Sequence, residues 1–379
     1  MIYLDHAAAT PLDKKVLAAM KPYLTDAYHN PSATYLAAKS VAKDIEAARS
    51  KVARTLGVRP AEIIFTSGGT EANNLAIHGI MQQYPDANVA VSAIEHESVL
   101  EPAHAYEARE AKVLPNGVID LDDLKKRIDD KTVLVSVMYA NNEIGAIQPL
   151  SEISRLLAEI RDKRAAENNK LPLYFHTDAA QAGNYLHLLA DKLGVDMMTL
   201  NAGKLYGPKQ TGALYVKAGI TLQPQILGGG QERGRRSGTE NAANIIGFAE
   251  ALEIAQKMRA DESRRLAELR KEFIKLLAAK LAQAEITANP KHCLPNNIHV
   301  TIPGQDNERL MMALDEEGIM CAVGSACSAS NDEPSHVLKA LGLSDAQARS
   351  SLRFTMGRST TAQEIEQTVN SLAKVIVSA

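Results

Sequence analysis

From about residue 60 onwards, the chain alternates short β-rich apolar runs with longer segments of helical pattern. Six runs have the pattern of strands: AEIIFTS, NVAVSAI, TVLVSVMY, LPLYFHTD, DMMTLN and GALYVK. Helical segments such as TEANNLAIHGIMQQY follow several of them. This alternation predicts an α/β fold whose mostly parallel sheet is covered by helices on both faces. Ligands of such sheets bind at the carboxyl ends of the strands.

The pattern changes after a long helical stretch that begins near residue 240 and is charged in its middle. We interpret this stretch as a connector into a smaller α/β unit. The sequence predicts a large domain over residues 15–258 and a smaller one formed by residues 1–14 and 259–379. A chain of 379 residues is long enough for both.

Composition argues against several classes of protein. The apolar fraction of 45% is typical of a globular protein, and the net charge of −3 provides no basic excess for nucleic acid or an anionic membrane. The sequence has no run of about 18 apolar residues, and its first residues are too polar for a signal peptide. Three cysteines are too few for a disulfide framework and lack zinc-site spacing. We expect a cytoplasmic protein without a metal site.

The stretch FTSGGTEANN, residues 65–74, joins a strand to a helix through two glycines. Glycines let the backbone approach a ligand closely, and the unpaired amides at a helix start bind phosphate. On this stretch alone, an ordinary capped turn is the simpler interpretation. It is not a Walker A loop, because no Gly-Lys-Ser/Thr follows.

Polar side chains follow three further strands. Asp178 ends YFHTD with Gln181 one turn later, His96 follows NVAVSAI, and Asn142 follows TVLVSVMY. Each alone is typical of a satisfied loop residue, and Asp178 equally suits a helix cap. Together they indicate one crevice at the carboxyl ends of the strands.

Lys204 follows a fifth strand, DMMTLN, and we expect it to face the same crevice. A lysine is costly to bury unless it is paired, neutralised or chemically bonded. A lysine, a phosphate cradle and a strand-end aspartate are the parts that hold pyridoxal 5'-phosphate. The lysine forms a Schiff base, the turn binds the phosphate, and the aspartate keeps the pyridine nitrogen protonated.

Cys327 lies in the small, polar run GSACSAS, which predicts a loop with an exposed cysteine that is nucleophilic once deprotonated. The usual alternative for a lone cysteine is a buried small hydrophobe, which suits Cys293 and Cys321 better. A disulfide or metal site that pairs Cys321 with Cys327 is a further alternative.

The motifs together resemble the pyridoxal-phosphate cysteine desulfurases of the NifS/IscS type, within the class V aminotransferase group. The match covers nearly the whole chain and includes YLDHAAATPLD, EIIFTSGGTEANNLAI, EHESVL, NNEIGAIQP, TDAAQ, GKLYGPKQTGALYV, GGGQERGRRSGTEN, GSACSASNDEPSHVLKALGL and SLRFTMGRSTT. The resemblance implies fold type I, with a mostly parallel seven-stranded sheet in the large domain, and a homodimer. It also implies conversion of L-cysteine to L-alanine, with sulfur passing through an enzyme persulfide to an acceptor protein for iron–sulfur cluster assembly or tRNA thiolation.

The resemblance assigns roles to individual residues. Lys204 would bond the cofactor, His96 would stack on its ring and help move protons, and Cys327 would attack the substrate sulfur. Thr239, in the arginine-rich stretch, would reach the phosphate bound by the partner subunit. The remaining implied contacts are Gly69, Thr70 and Asn201 to the phosphate, Asp178 to the ring nitrogen, Gln181 to the ring hydroxyl, Asn142 lining the site, and Asn30 with Arg353 to the substrate carboxylate.

Two features depart from the family pattern. The histidine that usually precedes the lysine is replaced by Gly203, so we expect rearranged cofactor anchoring in which Asn201 donates its amide to the phosphate. The chain ends at AKVIVSA, without the longer tail that IscS-type members use to dock a scaffold protein. The stretch around Cys327 is long, as in the NifS/IscS subgroup.

Two other classes of function stay open at this point. A selenocysteine lyase or a class V aminotransferase would use the same fold, and an aminotransferase would not need Cys327. A cofactor-free interaction subunit is the non-enzymatic alternative, against which the retained Lys204, Asp178 and His96 argue.

Overall fold

The computed structural model describes residues 1–287, 290–324 and 334–378 of the chain. The strands in this part are β1 Ile2–Tyr3, β2 Ile63–Thr66, β3 Asn88–Ser92, β4 Glu107–Ala111, β5 Thr132–Ser136, β6 Tyr174–Asp178, β7 Met197–Asn201, β8 Gly212–Val216, β9 Glu285–Ile286, β10 Asn297–Thr301, β11 Ile319–Met320 and β12 Ser351–Thr355. The α-helices are α1 Lys14–Thr25, α2 Leu36–Leu56, α3 Gly69–Met81, α4 Glu97–His104, α5 Leu121–Arg127, α6 Leu150–Ala166, α7 Ala190–Leu193, α8 Ala242–Lys280, α9 Asn307–Glu316, α10 His336–Ala340, α11 Asp345–Ala348 and α12 Ala362–Ser378. Short 3₁₀ helices cover Pro60–Glu62, Ala202–Lys204, Glu232–Gly234 and Pro290–His292.

A seven-stranded sheet forms the centre of the molecule, with strand order β2-β8-β7-β6-β5-β3-β4. Strand β8 is antiparallel to both of its neighbours, and the other four pairs are parallel. The predicted α/β class and the mostly parallel sheet are therefore confirmed. All six predicted strands are present. Strand β4 was not predicted, because its sequence EAREA is charged and sits at a partly exposed sheet edge.

Helix α8 is a single helix of 39 residues, about 58 Å long. Its first half packs Phe248 and Leu252 into the core around the large sheet. Its second half packs Phe273 and Leu277 into a separate apolar cluster. Because one helix runs through both clusters, the predicted domain boundary at residue 258 stays a prediction.

The second cluster lies against the antiparallel sheet β12-β10-β9. Strand β1 pairs in parallel with β11, and Asp5 forms a bridge with Thr355 of β12. The N-terminal residues therefore lie beside strands that are more than 300 residues away in sequence. Along the described residues, no helix is long and apolar enough to cross a bilayer.

The topology brings several strand-to-helix connections to one edge of the large sheet. Strands β2 and β3 lead into the N-termini of α3 and α4 there, and β7 leads into the 3₁₀ helix that contains Lys204. Parallel strands end at the same edge, so these connections are neighbours in space.

Candidate active site

A cavity of about 240 Å³ lies at this edge of the sheet. Nine of the residues predicted from the sequence line it: Gly69, Thr70, His96, Asn142, Asp178, Gln181, Asn201, Lys204 and Arg353. A larger surface groove of about 750 Å³, between α9 and α12, contains none of them. The crevice expected from the strand ends is therefore present, whereas the roles of its residues stay predictions.

One end of the cavity is the start of α3. Gly68 precedes the helix with φ 153°, a backbone conformation that glycine adopts readily and other residues do not. A Cβ added at Gly69 would lie 3.4 Å from Nδ2 of Asn201. The side chain of Asn201 is held in this position because its Oδ1 accepts a hydrogen bond from the Gly203 amide at 3.0 Å. Main-chain amides at a helix start, next to a side-chain amide, suit a phosphate group.

Asp178, at the end of β6, is 7% exposed and belongs to a chain of hydrogen bonds that sequence reasoning missed. Asn73 of α3 donates through Nδ2 both to Oδ2 of Asp178 at 2.7 Å and to Oγ of Ser98 at 2.9 Å. The Ser98 amide donates to Nδ1 of His96 at 3.0 Å. With Nδ1 accepting, a neutral His96 ring carries its proton on Nε2. The carboxylate and the imidazole are thus oriented by one shared network.

Lys204 lies in the 3₁₀ turn after β7 and is half-buried. Its Nζ donates to the main-chain oxygen of Ala8 at 2.5 Å, and its own main-chain oxygen accepts from Asn184 at 2.6 Å. Nε2 of Gln181 likewise donates to the main-chain oxygen of Ala7, at 3.0 Å. The N-terminal segment therefore forms one wall of the cavity beside the lysine.

Arg353, on β12, lines the cavity beside the N-terminal segment and is 2% exposed. Its Nη2 pairs with Asp5 at 2.7 Å, and its Nη1 donates to the main-chain oxygen of Asn142 at 3.2 Å. Nε is buried without a hydrogen-bond partner among the described residues. A fixed guanidinium with an unsatisfied donor suits a carboxylate ligand.

Two buried glutamates are sequence neighbours of residues that line the cavity, and they were not predicted. Glu95 is fully buried, accepts from the Met138 amide at 2.6 Å, and burial raises its pKa well above the usual value. Glu143 is 2% exposed, and burial raises its pKa as well. Each is the sequence neighbour of a predicted residue, in the pairs Glu95-His96 and Asn142-Glu143. That adjacency is a signal that could have found them.

Two predicted residues, Asn30 and Thr239, do not line this cavity, and a third, Cys327, cannot be placed relative to it. Asn30 and Thr239 are exposed, and Asn30 Oδ1 accepts from the amide of Ser32. Cys327 lies outside the described residues.

Two of the three arginines in the arginine-rich stretch pair with carboxylates of the same chain. Arg236 pairs with Glu71 at 2.9 Å and Arg233 with Glu46 at 3.2 Å, and the stretch's own Glu232 accepts both Nη atoms of Arg49. These pairs reduce the positive charge that the stretch offers to a nucleic acid.

Residues 2–368 match the family described as aminotransferase class-V. The chain belongs to this family. Its members use pyridoxal phosphate, so the family predicted from the motifs, and with it the cofactor, is confirmed.

Relatives of this chain match it over nearly its whole length. A cysteine desulfurase named IscS from Dictyoglomus turgidum is 41% identical over 382 residues, which cover 99% of this chain and 94% of that protein. A human cysteine desulfurase is 39% identical, covering 97% of this chain and 80% of its own length. A solved structure of a NifS-like protein superposes with a TM-score of 0.90 at 30% identity, covering 100% of both chains. The match confirms the predicted fold type I architecture.

The cavity fits the cofactor of this family. It offers a buried carboxylate at Asp178 for a ring nitrogen, a helix start at Gly69 for a phosphate, and an amine at Lys204 for an aldehyde. Position 203 is a glycine. A Cβ added to Gly203 would lie 3.4 Å from both Oδ1 of Asn201 and Cδ of Lys209.

Proposed function

We propose that this chain is a cysteine desulfurase that removes sulfur from L-cysteine and leaves L-alanine. The observation that carries the proposal is one cavity lined by Lys204, Asp178, His96 and Arg353, in a chain whose relatives at about 40% identity are named cysteine desulfurases. Pyridoxal phosphate, when bound, supplies an aldehyde for the substrate amine and an electron sink for the breaking bond.

The residues of the cavity bind and orient both molecules. Asp178 keeps a proton on the ring nitrogen, because a carboxylate held by Asn73 stabilises an adjacent cation. The amides at Gly69 and Thr70, with Nδ2 of Asn201, hold the phosphate. Arg353 fixes the substrate carboxylate. Lys204 supplies the amine, and His96 exchanges a proton at Nε2.

The net reaction transfers one sulfur atom to Cys327. A bond forms between the Cys327 sulfur and the substrate sulfur, and the bond from that sulfur to Cβ breaks. Its electron pair stays on Cβ, which takes up a proton, so the products are alanine and a Cys327 persulfide. The persulfide sulfur then passes to an acceptor protein that supplies iron–sulfur cluster assembly or tRNA thiolation.

We also propose a homodimer that works in the cytoplasm. Asn30 and Thr239 are exposed, and exposed apolar side chains lie near them in sequence at Tyr28, Leu36 and Leu227. A second copy of the chain would cover this apolar surface and bring Asn30 and Thr239 to the neighbouring site. A thiol nucleophile requires a compartment that keeps cysteines reduced.

Release of alanine and sulfide from L-cysteine by the cofactor-loaded protein tests the function. We expect release by the wild type, none by Cys327→Ser, and wild-type release by Cys293→Ser. Cys293 is a suitable control because burial raises the pKa of its thiol to about 11, which leaves it unreactive. If the loaded wild type formed no alanine, the proposal would be wrong, and equal release by Cys327→Ser would remove the persulfide step. Light scattering of the purified protein tests the homodimer: a monomeric mass would refute it.

A further inference from the structure

One buried side chain, that of Thr10, contacts both sides of the turn that contains Lys204. Its Oγ1 donates to the main-chain oxygen of Gly203 at 3.0 Å and accepts from the amide of Tyr206 at 2.8 Å. Its main-chain amide also donates to the Gly203 oxygen, at 3.1 Å. Thr10 is 3% exposed. A hydroxyl has one proton and accepting lone pairs, so these bonds use Oγ1 both as a donor and as an acceptor.

The segment that contains Thr10 is itself bonded to the small antiparallel sheet. The amide of Ala7 donates to Oγ1 of Thr355, on β12, at 2.9 Å. Between this bond and Thr10, the main-chain oxygen of Ala8 accepts from Nζ of Lys204 at 2.5 Å. The hydroxyl of Thr10 therefore joins the turn to a segment whose position is set by the fold, not to a loose terminus.

Tyr206 has a backbone conformation that needs support from its surroundings. Its φ of 60° lies in the left-handed region, which is unfavourable for a residue with a side chain. Contacts besides that with Thr10 hold it there. Its main-chain oxygen accepts from the Asp13 amide at 3.0 Å, its hydroxyl accepts from the Arg358 amide at 2.8 Å, and the Arg358 guanidinium lies 4.0 Å from its ring centroid. Strained backbone persists only where the structure around it determines it, and it is common at functional sites.

Local satisfaction of a buried hydroxyl does not explain the bonds of Thr10. Thr368, on α12, is also fully buried, and its Oγ1 donates to the main-chain oxygen of Glu364 at 2.7 Å, one turn earlier in the same helix. The hydroxyl of Thr10 instead bonds residues that are 193 and 196 positions away in sequence. Both of those residues flank the same lysine.

We propose that Thr10 is a positioning residue for Lys204, because its hydroxyl joins the residues on both sides of this lysine and so limits the orientations of the amine. The inference deepens the proposed function and rests on the role of Lys204 in it. Without the hydroxyl, the buried amide of Tyr206 loses this acceptor, while the Gly203 oxygen keeps its bond from the Thr10 amide. The turn could then relax at Tyr206, and the amine would be oriented less often for attack on the cofactor's aldehyde.

The test compares Thr10→Val, which removes the hydroxyl at nearly constant volume, with Thr10→Ser, which keeps it, and with the matched control Thr368→Val. Cofactor-free protein is mixed with pyridoxal phosphate at several concentrations and reduced with borohydride after set times. Attachment bonds the Lys204 nitrogen to the aldehyde carbon and releases one water, and the reduced bond is stable enough for peptide mass mapping. The series separates the attachment rate at saturating cofactor from the cofactor concentration at half-saturation.

We expect Thr10→Val to attach the cofactor about ten-fold more slowly at saturation. Half-saturation should stay within about two-fold of the wild type, because the helix start that suits the phosphate is unchanged. Thr10→Ser and Thr368→Val should keep the wild-type rate. A wild-type rate in Thr10→Val would overturn the inference, as would a slow rate in Thr10→Ser or a change confined to half-saturation. If circular dichroism shows that Thr10→Val does not fold, Thr10→Ala removes the same hydroxyl and decides the question by the same criteria.

Hydrogen exchange of the Tyr206 amide in the cofactor-free protein tests the contact without any attachment. This amide donates to Oγ1 of Thr10, so it should exchange faster in Thr10→Val than in the wild type or in Thr368→Val. Faster exchange would support the contact even if the cofactor never bonded to Lys204 in the wild type, and in that case the proposed function alone would fail. Unchanged exchange in Thr10→Val would refute the inference whatever the attachment rate.

Discussion

The two walls of the cavity are built in different ways. On one wall, Asp178, Asn73, Ser98 and His96 come from strand ends at one edge of the large sheet and from the helices that follow those strands. On the other, Arg353 reaches Asp5 and Asn142, which are 348 and 211 residues away in sequence. The first wall is built on a single sheet. The second depends on how the N-terminus and the small antiparallel sheet pack against the large sheet.

This difference separates two kinds of contribution to activity. In the proposed function, residues on the sheet wall would contact the cofactor and act on the chemical step, so their loss should lower kcat. Residues on the wall around Arg353 would bind the substrate carboxylate, so their loss should mainly raise KM.

Replacing Asp178 should have the largest effect. In Asp178→Asn a neutral amide no longer stabilises a protonated ring nitrogen, while Asn73 can still bond to the side chain. We expect kcat for alanine release to fall by about 10²–10³-fold, with KM for L-cysteine changed little. Steady-state kinetics on the loaded variant provide the measurement, and its cofactor content is the control. A change in KM alone would contradict the division between the walls.

Replacing Arg353 should act on the other kinetic parameter. Arg353→Gln removes a charged partner of the substrate carboxylate, which is worth about 1.5–3 kcal/mol, or roughly 10- to 150-fold in KM. The change also leaves Asp5 without its buried partner, so Arg353→Gln/Asp5→Asn is the matched control for lost stability. We expect the same rise in KM in both variants. A decrease in kcat alone would contradict the proposed role of Arg353 in binding the substrate carboxylate.

The seven-stranded sheet and the sheet β12-β10-β9 each contain one buried histidine. The effects of these two histidines on stability in acid can therefore be compared. Burial lowers the pKa of His176, on β6, and of His299, on β10, to about 3 each. The unfolded chain takes up these protons near pH 6.5 and the folded chain does not, so each residue lowers the free energy of unfolding as the pH falls below 6.5. At pH 5 the loss is about 2 kcal/mol per histidine.

Urea unfolding at pH 7 and pH 5 measures this effect. The variants His176→Gln and His299→Gln should each lose about 2 kcal/mol less than the wild type between the two pH values. An identical pH dependence in the wild type and both variants would mean that these histidines are not buried as neutral groups.

The smallest predicted effect concerns the link between Asp178 and His96. Ser98→Ala removes the hydroxyl that accepts from Asn73 and lies 2.8 Å from Nδ1 of His96, but keeps the main-chain amide that donates to His96. A neutral hydrogen bond is worth about 1 kcal/mol, and the retained amide still bonds to His96, so kcat should fall about five-fold. Asn74→Ala, one residue along α3 from Asn73 and half-buried, is the control. If both variants kept the wild-type kcat, the network would have no kinetic role.

The residues of the sheet wall could be predicted from the sequence, whereas those of the other wall could be predicted only in part. Asp178, His96, Asn142 and Lys204 each follow a strand of regular pattern, and parallel strands end at one edge, so local pattern was enough to group them. Arg353 was predicted through the family motif SLRFTMGRSTT, because no local pattern shows that β12 approaches Asn142.

Some features of the site had no sequence pattern of their own. Ala7 and Ala8 reach Gln181 and Lys204 through main-chain oxygens, which any residue type would supply. Asn73 and Ser98 look like ordinary polar residues in the first turns of helices. Strand β4 was missed because its alternation is weak and its side chains are charged.

The central claim is that Lys204 is the residue that bonds the cofactor. Borohydride reduction of the protein mixed with pyridoxal phosphate, followed by peptide mass mapping, tests it directly. Lys209, five residues further along and with a pKa lowered by burial, is the internal control. We predict one modified peptide with the added mass on Lys204, and none in Lys204→Ala. Modification of Lys209 instead, or no stable modification at all, would contradict the account.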